Sequence, residues 1–379
     1  MSIEIRIAGN LILNVKSLVV HSSMTTLSNS FTLMTSLTQN ATTAAEGSLV
    51  FQPGDTVEIK IESIPVLTGF VDAVRVTYTK GVHNIEVVGR DKIADFIDSS
   101  VPQINIEGAI EFETLLRTTL DTMGLQEIAI TNLIPATSDL LIRADKNIAS
   151  EVGQTGADFI DQFARLKQVL LKGDGSGNIQ MTRGGGDQYI RVTLANVPGF
   201  DHNNIIKGQF VLSHTNRYNS YTVRSQEDFS ADFDLDVSEG VGNSGTAVDN
   251  AIRVGRSLVF EAEENSTTQE CKNRSAWESD LRRAKGTQFI VTILGHTATY
   301  TDPGFGETTV LWSPNSLVRV ADVFANIQAL MLIESVRYQI SEDEGTTTEM
   351  TLVPRDSYTV SAQRDAADAR VSLIGDDDE

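Results

Sequence analysis

The run from Asp174 to Asn178, DGSGN, sets Asp174, Ser176 and Asn178 on alternate residues, as the opening of a calcium loop does. Such a loop needs glycine at its sixth position and a bidentate glutamate at its twelfth. Here those positions hold Ile179 and Gly185, so the stretch is expected to be a hairpin turn. The glycine-rich RGGGD at 183–187 lacks the lysine and the hydroxyl residue of a phosphate-cradling loop and reads as a plain connection. Five histidines, His21, His83, His202, His214 and His296, have no spacing that would set two of them on one helix face or strand as metal ligands. Neither a G-x-S-x-G nucleophile elbow nor an H-E-x-x-H zinc helix occurs. With 51 Asp and Glu residues, no single carboxylate pair can be picked out as acid and base. No catalytic, cofactor-binding or metal-binding residue is therefore assigned, and no cofactor is expected.

The single cysteine, Cys271, excludes an internal disulfide and a thiolate metal cluster and is expected to be a half-buried structural thiol. A net charge of −21 opposes binding to a phosphate backbone, although nucleic acid could slide along an acidic wall without sticking. The hydrophobic fraction of 40% is that of an ordinary globular protein. No apolar run approaches the ~20 residues needed to cross a bilayer, and MSIEIRIAGN lacks the pattern of a signal peptide. Synthesis and retention in a cytosol are expected.

The elements that would position any site are mainly strands. DTVEIKI at 55–61, FVDAVRVTY at 70–78 and MLIESVRYQI at 331–340 alternate apolar and polar residues with period two. KGVHN at 80–84 and SEDEG at 341–345 fall where hairpin turns belong. These stretches recur. NSFTL at 29–33 resembles NSYTV at 219–223; Phe51-Gln-Pro resembles Trp312-Ser-Pro; Val57-Glu-Ile resembles Val318-Arg-Val. Further on, Val71-Asp-Ala-Val-Arg resembles Ile333-Glu-Ser-Val-Arg, and VVGRD at 87–91 resembles LVPRD at 352–356. Collinear matches of this kind point to an internal duplication. His21 and His214 fall near corresponding points of the two copies, which favours a structural role for both. The offset rises from 190 at the first match to 261–265 at the later ones, so about 71 extra residues are expected inside the second copy.

Between the copies the pattern turns helical. Phe112, Leu115, Leu116, Leu120 and Met123 share one helix face, with Gly124 as a stop; a second helix from about Gly156 carries Phe159, Ile160, Phe163 and Leu166. In the insertion, residues 267–285 predict a polar helix with Trp277, Leu281 and Ala284 on its inner stripe, followed by a strand in FIVTILG. The glycine-rich 238–250 is expected to be a mobile loop, and the closing IGDDDE a solvated tail. The expected fold is mainly β with α+β modules: two duplicated small antiparallel β-barrels, an α/β module between them and a helix-containing insertion in the second barrel. The division is 1–93 for the first barrel and 94–198 for the α/β module. Residues 199–230 and 311–358 form the second barrel, 231–310 the insertion, and 359–379 an acidic tail.

This order of parts resembles the baseplate hub proteins of contractile-tailed, Mu-like bacteriophages, and more distantly the hub part of type VI secretion spikes. The residues that carry the likeness are FQPGDTVEI at 51–59, Arg90-Asp91, the run from Gly156 to Arg183, and RSAWESDLRRA at 274–284. The resemblance implies a structural virion protein of the tail baseplate, not an enzyme. It implies a homotrimeric ring that adapts a three-fold spike to a six-fold tail tube and forms part of the channel for DNA and the tape-measure protein. Partners would be the spike, tube, baseplate wedge and tape-measure proteins, with no specific nucleic-acid binding and no membrane insertion. A different class of reading, a carbohydrate-binding or cell-wall-hydrolysing β-rich protein, would need a site of clustered aromatics. The aromatic content is 6%, with two tryptophans.

Overall fold

Alternation of period two becomes strand: along Thr56–Ile61, Val57, Ile59 and Ile61 are buried while Thr56 and Glu58 face solvent. The computed structural model describes residues 2–35, 51–80, 82–136, 138–142, 147–186, 188–225, 243–262, 266–302, 306–342 and 344–358. The first part comprises β1 (Ile3–Ile7), β2 (Asn10–Leu11), β3 (Val15–Ser23), β4 (Ser30–Thr35), β5 (Thr56–Ile61), β6 (Ile64–Thr79) and β7 (Val82–Asp91). Helices α1 (Ala94–Asp98), α2 (Phe112–Thr122) and α3 (Gly156–Lys167) follow. Interspersed with them are β8 (Asn105–Ile106), β9 (Ile110–Glu111), β10 (Ile130–Asn132), β11 (Leu141–Ile142) and β12 (Ile148–Ala149). The hairpin of β13 (Leu170–Gly173) and β14 (Ile179–Thr182) closes this middle part, whose core includes Phe96, Phe112, Leu116, Phe159, Phe163 and Met181. Gly124, at φ 79°, turns the chain after α2 in a conformation that L side chains resist.

The last part comprises β15 (Gln188–Asn196), β16 (Ile205–Leu212), β17 (Ser220–Arg224), β18 (Ser244–Val248), β19 (Ser257–Glu261) and helix α4 (Thr268–Gly286). It continues with β20 (Thr287–Leu294), β21 (Thr297–Asp302), β22 (Gly306–Leu311), β23 (Ser316–Asp322), β24 (Ile327–Ser341) and β25 (Gly345–Pro354). Thr267 and Glu270 form a reciprocal capping box at the start of α4, which fixes that end. Trp277 and Ala284 on its inner stripe are buried, and Leu281 packs against the same cluster.

The mainly β character is as expected, but the two closed barrels are not found. Instead, strands from both ends of the chain make one open, thirteen-stranded sheet in the order β16-β20-β25-β24-β3-β4-β7-β6-β5-β1-β2, with β23 on β24 and β15 on β23. Among the described residues no sheet closes on itself. The reason is a seam: β3, from the first part, pairs antiparallel with the C-terminal half of β24 from the second, over Ser17–Ser23 and Ser335–Ser341. Alternation says which side chains are buried and is silent on which strand takes an edge. One hydrophobic core, with Val20, Phe31, Val87, Phe289, Val320 and Met350, runs across both parts.

Within this sheet the two parts share features in register. The hairpins β6–β7 and β24–β25 each carry a bulge, between Val71 and Ala73 and between Ile333 and Ser335. Three positions past the bulge residue, Arg75 pairs with Glu86 at 2.5 Å and Arg337 with Glu349 at 3.6 Å. The pairs β3–β4 and β16–β20 also share a bulge, between Val15 and Ser17 and between Ile205 and Lys207. Both lead into the same hydroxyl turn, in which Ser23 Oγ accepts from Thr25 N at 3.1 Å and Ser213 Oγ from Thr215 N at 3.3 Å. By strand pairing Phe31 corresponds to Phe289.

Two sequence matches take different places. NSYTV forms β17, which pairs with β18 and β19 in a separate three-stranded sheet, while β20 holds the position that β4 has in the first part. VVGRD and LVPRD are displaced by two residues, since the pairing sets Gly89, not Val87, against Leu352. The opening strands of the two parts differ too: β1 runs antiparallel to β5, whereas β15 runs parallel to β23. Of the expected loop at 238–250, Ser244–Val248 form β18, and 238–242 lie outside the described residues, as does the tail at 359–379.

Candidate assembly surface

The residues singled out for chemistry are scattered through the fold. Asp174–Asn178 is the turn between β13 and β14: Asp174 Oδ1 accepts from Ser176 N at 2.7 Å and Asn178 N at 3.0 Å, so that carboxylate oxygen serves the turn. His202 packs edge-on to Phe200 in an exposed loop, and His214 is exposed beyond β16. His83 falls within β7. Among the described residues no three His, Cys, Asp or Glu side chains gather where they could hold a metal ion. Cys271, expected to be half-buried, is fully buried on α4; its thiol contacts the Asn243 carbonyl at 3.8 Å, and burial pushes it toward the unreactive protonated form.

His296 is completely buried beside the core. The Thr348 hydroxyl donates to the Gly295 carbonyl at 2.6 Å, so the 2.9 Å contact between His296 Nδ1 and Thr348 Oγ1 requires a proton on Nδ1. Nε2 has no partner, and the ring meets Tyr338 edge-on at 5.4 Å. Burial lowers this histidine to about 4, keeping it neutral and structural at neutral pH.

A cleft of about 470 Å³ lies where the three parts of the chain meet, lined by Asn29, Lys172, Asp174, Gln188, Ser313 and Tyr338 among others. Lys172 Nζ donates to the Pro314 carbonyl across it at 3.3 Å, which ties β13 to the loop before β23. At its margin Asp91 accepts from Ser28 Oγ at 2.6 Å, Asn29 N at 2.8 Å and Ile93 N at 3.2 Å. Burial outweighs these bonds and raises Asp91 to about 6. All three donors are backbone or hydroxyl groups, so the carboxylate ties the turn before β4 to the turn after β7.

The insertion is held by buried ion pairs. Arg217 meets Asp249 at 2.7 Å; Arg274 pairs with Glu278 at 3.0 Å and lies over the Phe260 and Trp277 rings. Lys167 on α3 reaches Glu270 on α4 at 3.3 Å. The chemistry of these contacts is fastening.

What remains is surface: two long strand edges that carry exposed apolar side chains. On β16, the end of the sheet, Ile206, Phe210 and Leu212 are exposed. On the C-terminal half of β6, beyond the reach of β5, Val76 is exposed. Exposed edges of this kind invite another strand. Sequence reading missed both, although the sixteen-residue β6 beside a six-residue β5 is a mismatch that the alternating pattern already contains.

No helix among the described residues is long and apolar enough to cross a membrane. Two family models match the chain: "Mu phage baseplate assembly protein GpP-like, N-terminal" over residues 2–91, and "Mu phage baseplate assembly protein GpP, fourth domain" over 267–361. The baseplate hub protein gp44 of Escherichia phage Mu is 24% identical over 83% of this chain and 78% of its own length. The 43 kDa tail protein of prophage MuSo2 from Shewanella oneidensis shares the fold, with a TM-score of 0.74 at 21% identity, covering 94% of this chain and 99% of that one. The fold likeness extends to the E. coli c3393 protein, a component of the type VI secretion system, at a TM-score of 0.54 and 10% identity, over 94% of this chain and 78% of that one. The resemblance read from the sequence therefore holds: the two ends of this chain match models of the N-terminal and fourth domains of Mu phage baseplate assembly proteins, and the chain as a whole is similar to a Mu baseplate hub protein.

Proposed function

We propose that this protein is the hub of a contractile phage baseplate, a homotrimeric ring that joins a three-fold spike to a six-fold tail tube. The observation that carries the reading is the repetition of hairpin, bulge and cross-strand ion pair at two places in one sheet. Two like units per chain turn three chains into six similar units around one axis, which removes the symmetry mismatch between spike and tube. The role is mechanical and not enzymatic. Spike, tube, wedge and tape-measure proteins are its partners, with assembly in the host cytoplasm before incorporation into the virion. The division at residues 93/94 and 198/199 belongs to this reading, the middle part and the insertion serving the partners outside the ring. The net charge of −21 gives a lumen along which DNA passes without adhering.

Light scattering after size exclusion tests this over a range of concentrations, with and without spike protein. A mass of three chains of 41.2 kDa is expected. A monomer under every condition overturns the ring, and a solved ring whose lumen is lined with Lys and Arg overturns the charge argument.

A further inference from the structure

The seam inside the chain specifies a contact that the chain cannot make with itself. Strand β3 pairs with the second half of β24. The shared bulges and pairings make β16 the counterpart of β3, and β6 the counterpart of β24. The counterpart of the seam is thus β16 against the second half of β6. These two edges lie at separate places in the sheet, with β20, β25, β24, β3, β4 and β7 between them, and neither has a strand partner there among the described residues. We propose that β16 of one copy pairs antiparallel with Ala73–Thr79 of β6 in the next copy, in the register of the internal seam. This rests on the ring reading above and names its subunit contact.

The register transfers residue by residue. In the seam Tyr338 faces Val20, Gln339 faces Val19 and Val336 faces Ser22. The same alignment between copies sets Val76 against Phe210, Thr77 against Gln209 and Val74 against Leu212. Exposure supports it. Val20 is 0% and Tyr338 3% exposed within the seam, whereas their counterparts Phe210 and Val76 are each 40% exposed. Burying those two side chains is what a second copy would add, and it supplies backbone partners for both edges. Because the surfaces are different patches, the contact is head-to-tail, the type that builds a ring when its rotation closes.

The test is a pair of cysteines in the full chain, Gln209→Cys with Thr77→Cys, oxidised in purified protein. Directly opposed residues on antiparallel strands have Cα atoms about 4.5–5.5 Å apart, within disulfide reach. Gln209→Cys with Val76→Cys is the control, since a shift of one residue turns the side chain to the other face. A non-reducing gel band at three chain masses, absent in the control, is expected. In a separate variant, Phe210→Asp should weaken association roughly a hundredfold by placing a charge in an apolar contact, with unchanged circular dichroism. Val76→Asp, on the opposite edge, should do the same. A trimer that forms no such cross-link and tolerates both aspartates overturns this contact and leaves the ring reading intact. A chain that is monomeric under every condition, with no cross-link, overturns both.

Discussion

The two bulged hairpins use one backbone device in opposite surroundings. In β6–β7 the bulge residue is Asp72, which faces outward and shares Arg90 with Asp98, at 2.7 Å and 2.6 Å respectively. In β24–β25 it is Glu334, 7% exposed beneath the segment that follows β25, where it accepts from the Tyr358 hydroxyl and from Gln288 Nε2 at 3.4 Å. Its backbone carbonyl also accepts from Met24 N at 2.9 Å, next to the seam. Burial drives the Glu334 carboxyl upward, with Tyr358, Lys285 and Gln288 pulling back. Asp98, nearly all in solvent, is held down by Arg90. A bulge exposes one unpaired residue, and what covers it decides whether that residue is a surface anion or a buried hinge pin.

The comparison breaks most directly by truncation. Tyr358→Ala, which empties a fully buried aromatic site against Glu334, should cost about 3–5 kcal/mol in urea unfolding. Tyr358→Phe should cost about 1–3 kcal/mol by leaving the buried carboxylate short of a donor. Asp72→Ala should stay within about 1 kcal/mol, as solvated ion pairs do. Equal losses at Tyr358 and Asp72 would show that the outward bulge is also load-carrying, against this account.

Acidity sharpens the contrast. The folded form of His296 is lowered to about 4, so its stabilisation is present above the unfolded value near 6.5 and is lost as pH falls toward 4. Asp91, raised to about 6, works the other way: its contribution is present below the unfolded value near 3.8 and is lost as pH rises through 6. Between pH 6.5 and 4 the two slopes oppose each other, each on the order of 2–3 kcal/mol. Relative to the parent, His296→Gln should therefore gain in melting temperature on acidification and Asp91→Asn should lose; identical pH profiles for both variants and the parent would refute the assignment. Glu334→Gln should gain on the parent as pH rises, because a raised carboxyl loses its contribution in that direction.

The smallest effect is expected where the two parts are most alike. Arg75→Ala and Arg337→Ala should each cost about 0.5 kcal/mol, because both cross-strand pairs are largely solvated. A much larger loss at Arg337 alone would mean that its neighbour His21 across the seam transmits the change.

Much of the architecture was legible in order along the chain. The helices on Phe112–Leu120 and Phe159–Leu166 and the inner stripe of α4 follow from apolar spacing, whereas the Thr267–Glu270 capping box was seen only in the fold. The hairpin at Asp174–Asn178 follows from its turn residues, and the bulge match Val71-Asp72-Ala73 with Ile333-Glu334-Ser335 was visible as residues before it was visible as geometry. NSYTV shows where such reading stops. Its sequence offset from NSFTL equals that between β16 and β3, yet β20 takes the place in the sheet and NSYTV pairs with β18 and β19.

The sequence by itself determined the strands, the helices, their inward faces and the recurrence of one unit, because period, caps and turn chemistry act over a few residues. Only the tertiary structure decided that the two units share a sheet through β3 and β24 in place of closing into separate barrels, and that among the described residues β16 and the end of β6 are left as edges. The physical reason is that every strand edge offers the same backbone donors and acceptors. Its choice of partner is set by which apolar faces are buried together, across hundreds of residues of chain, and no local pattern records it.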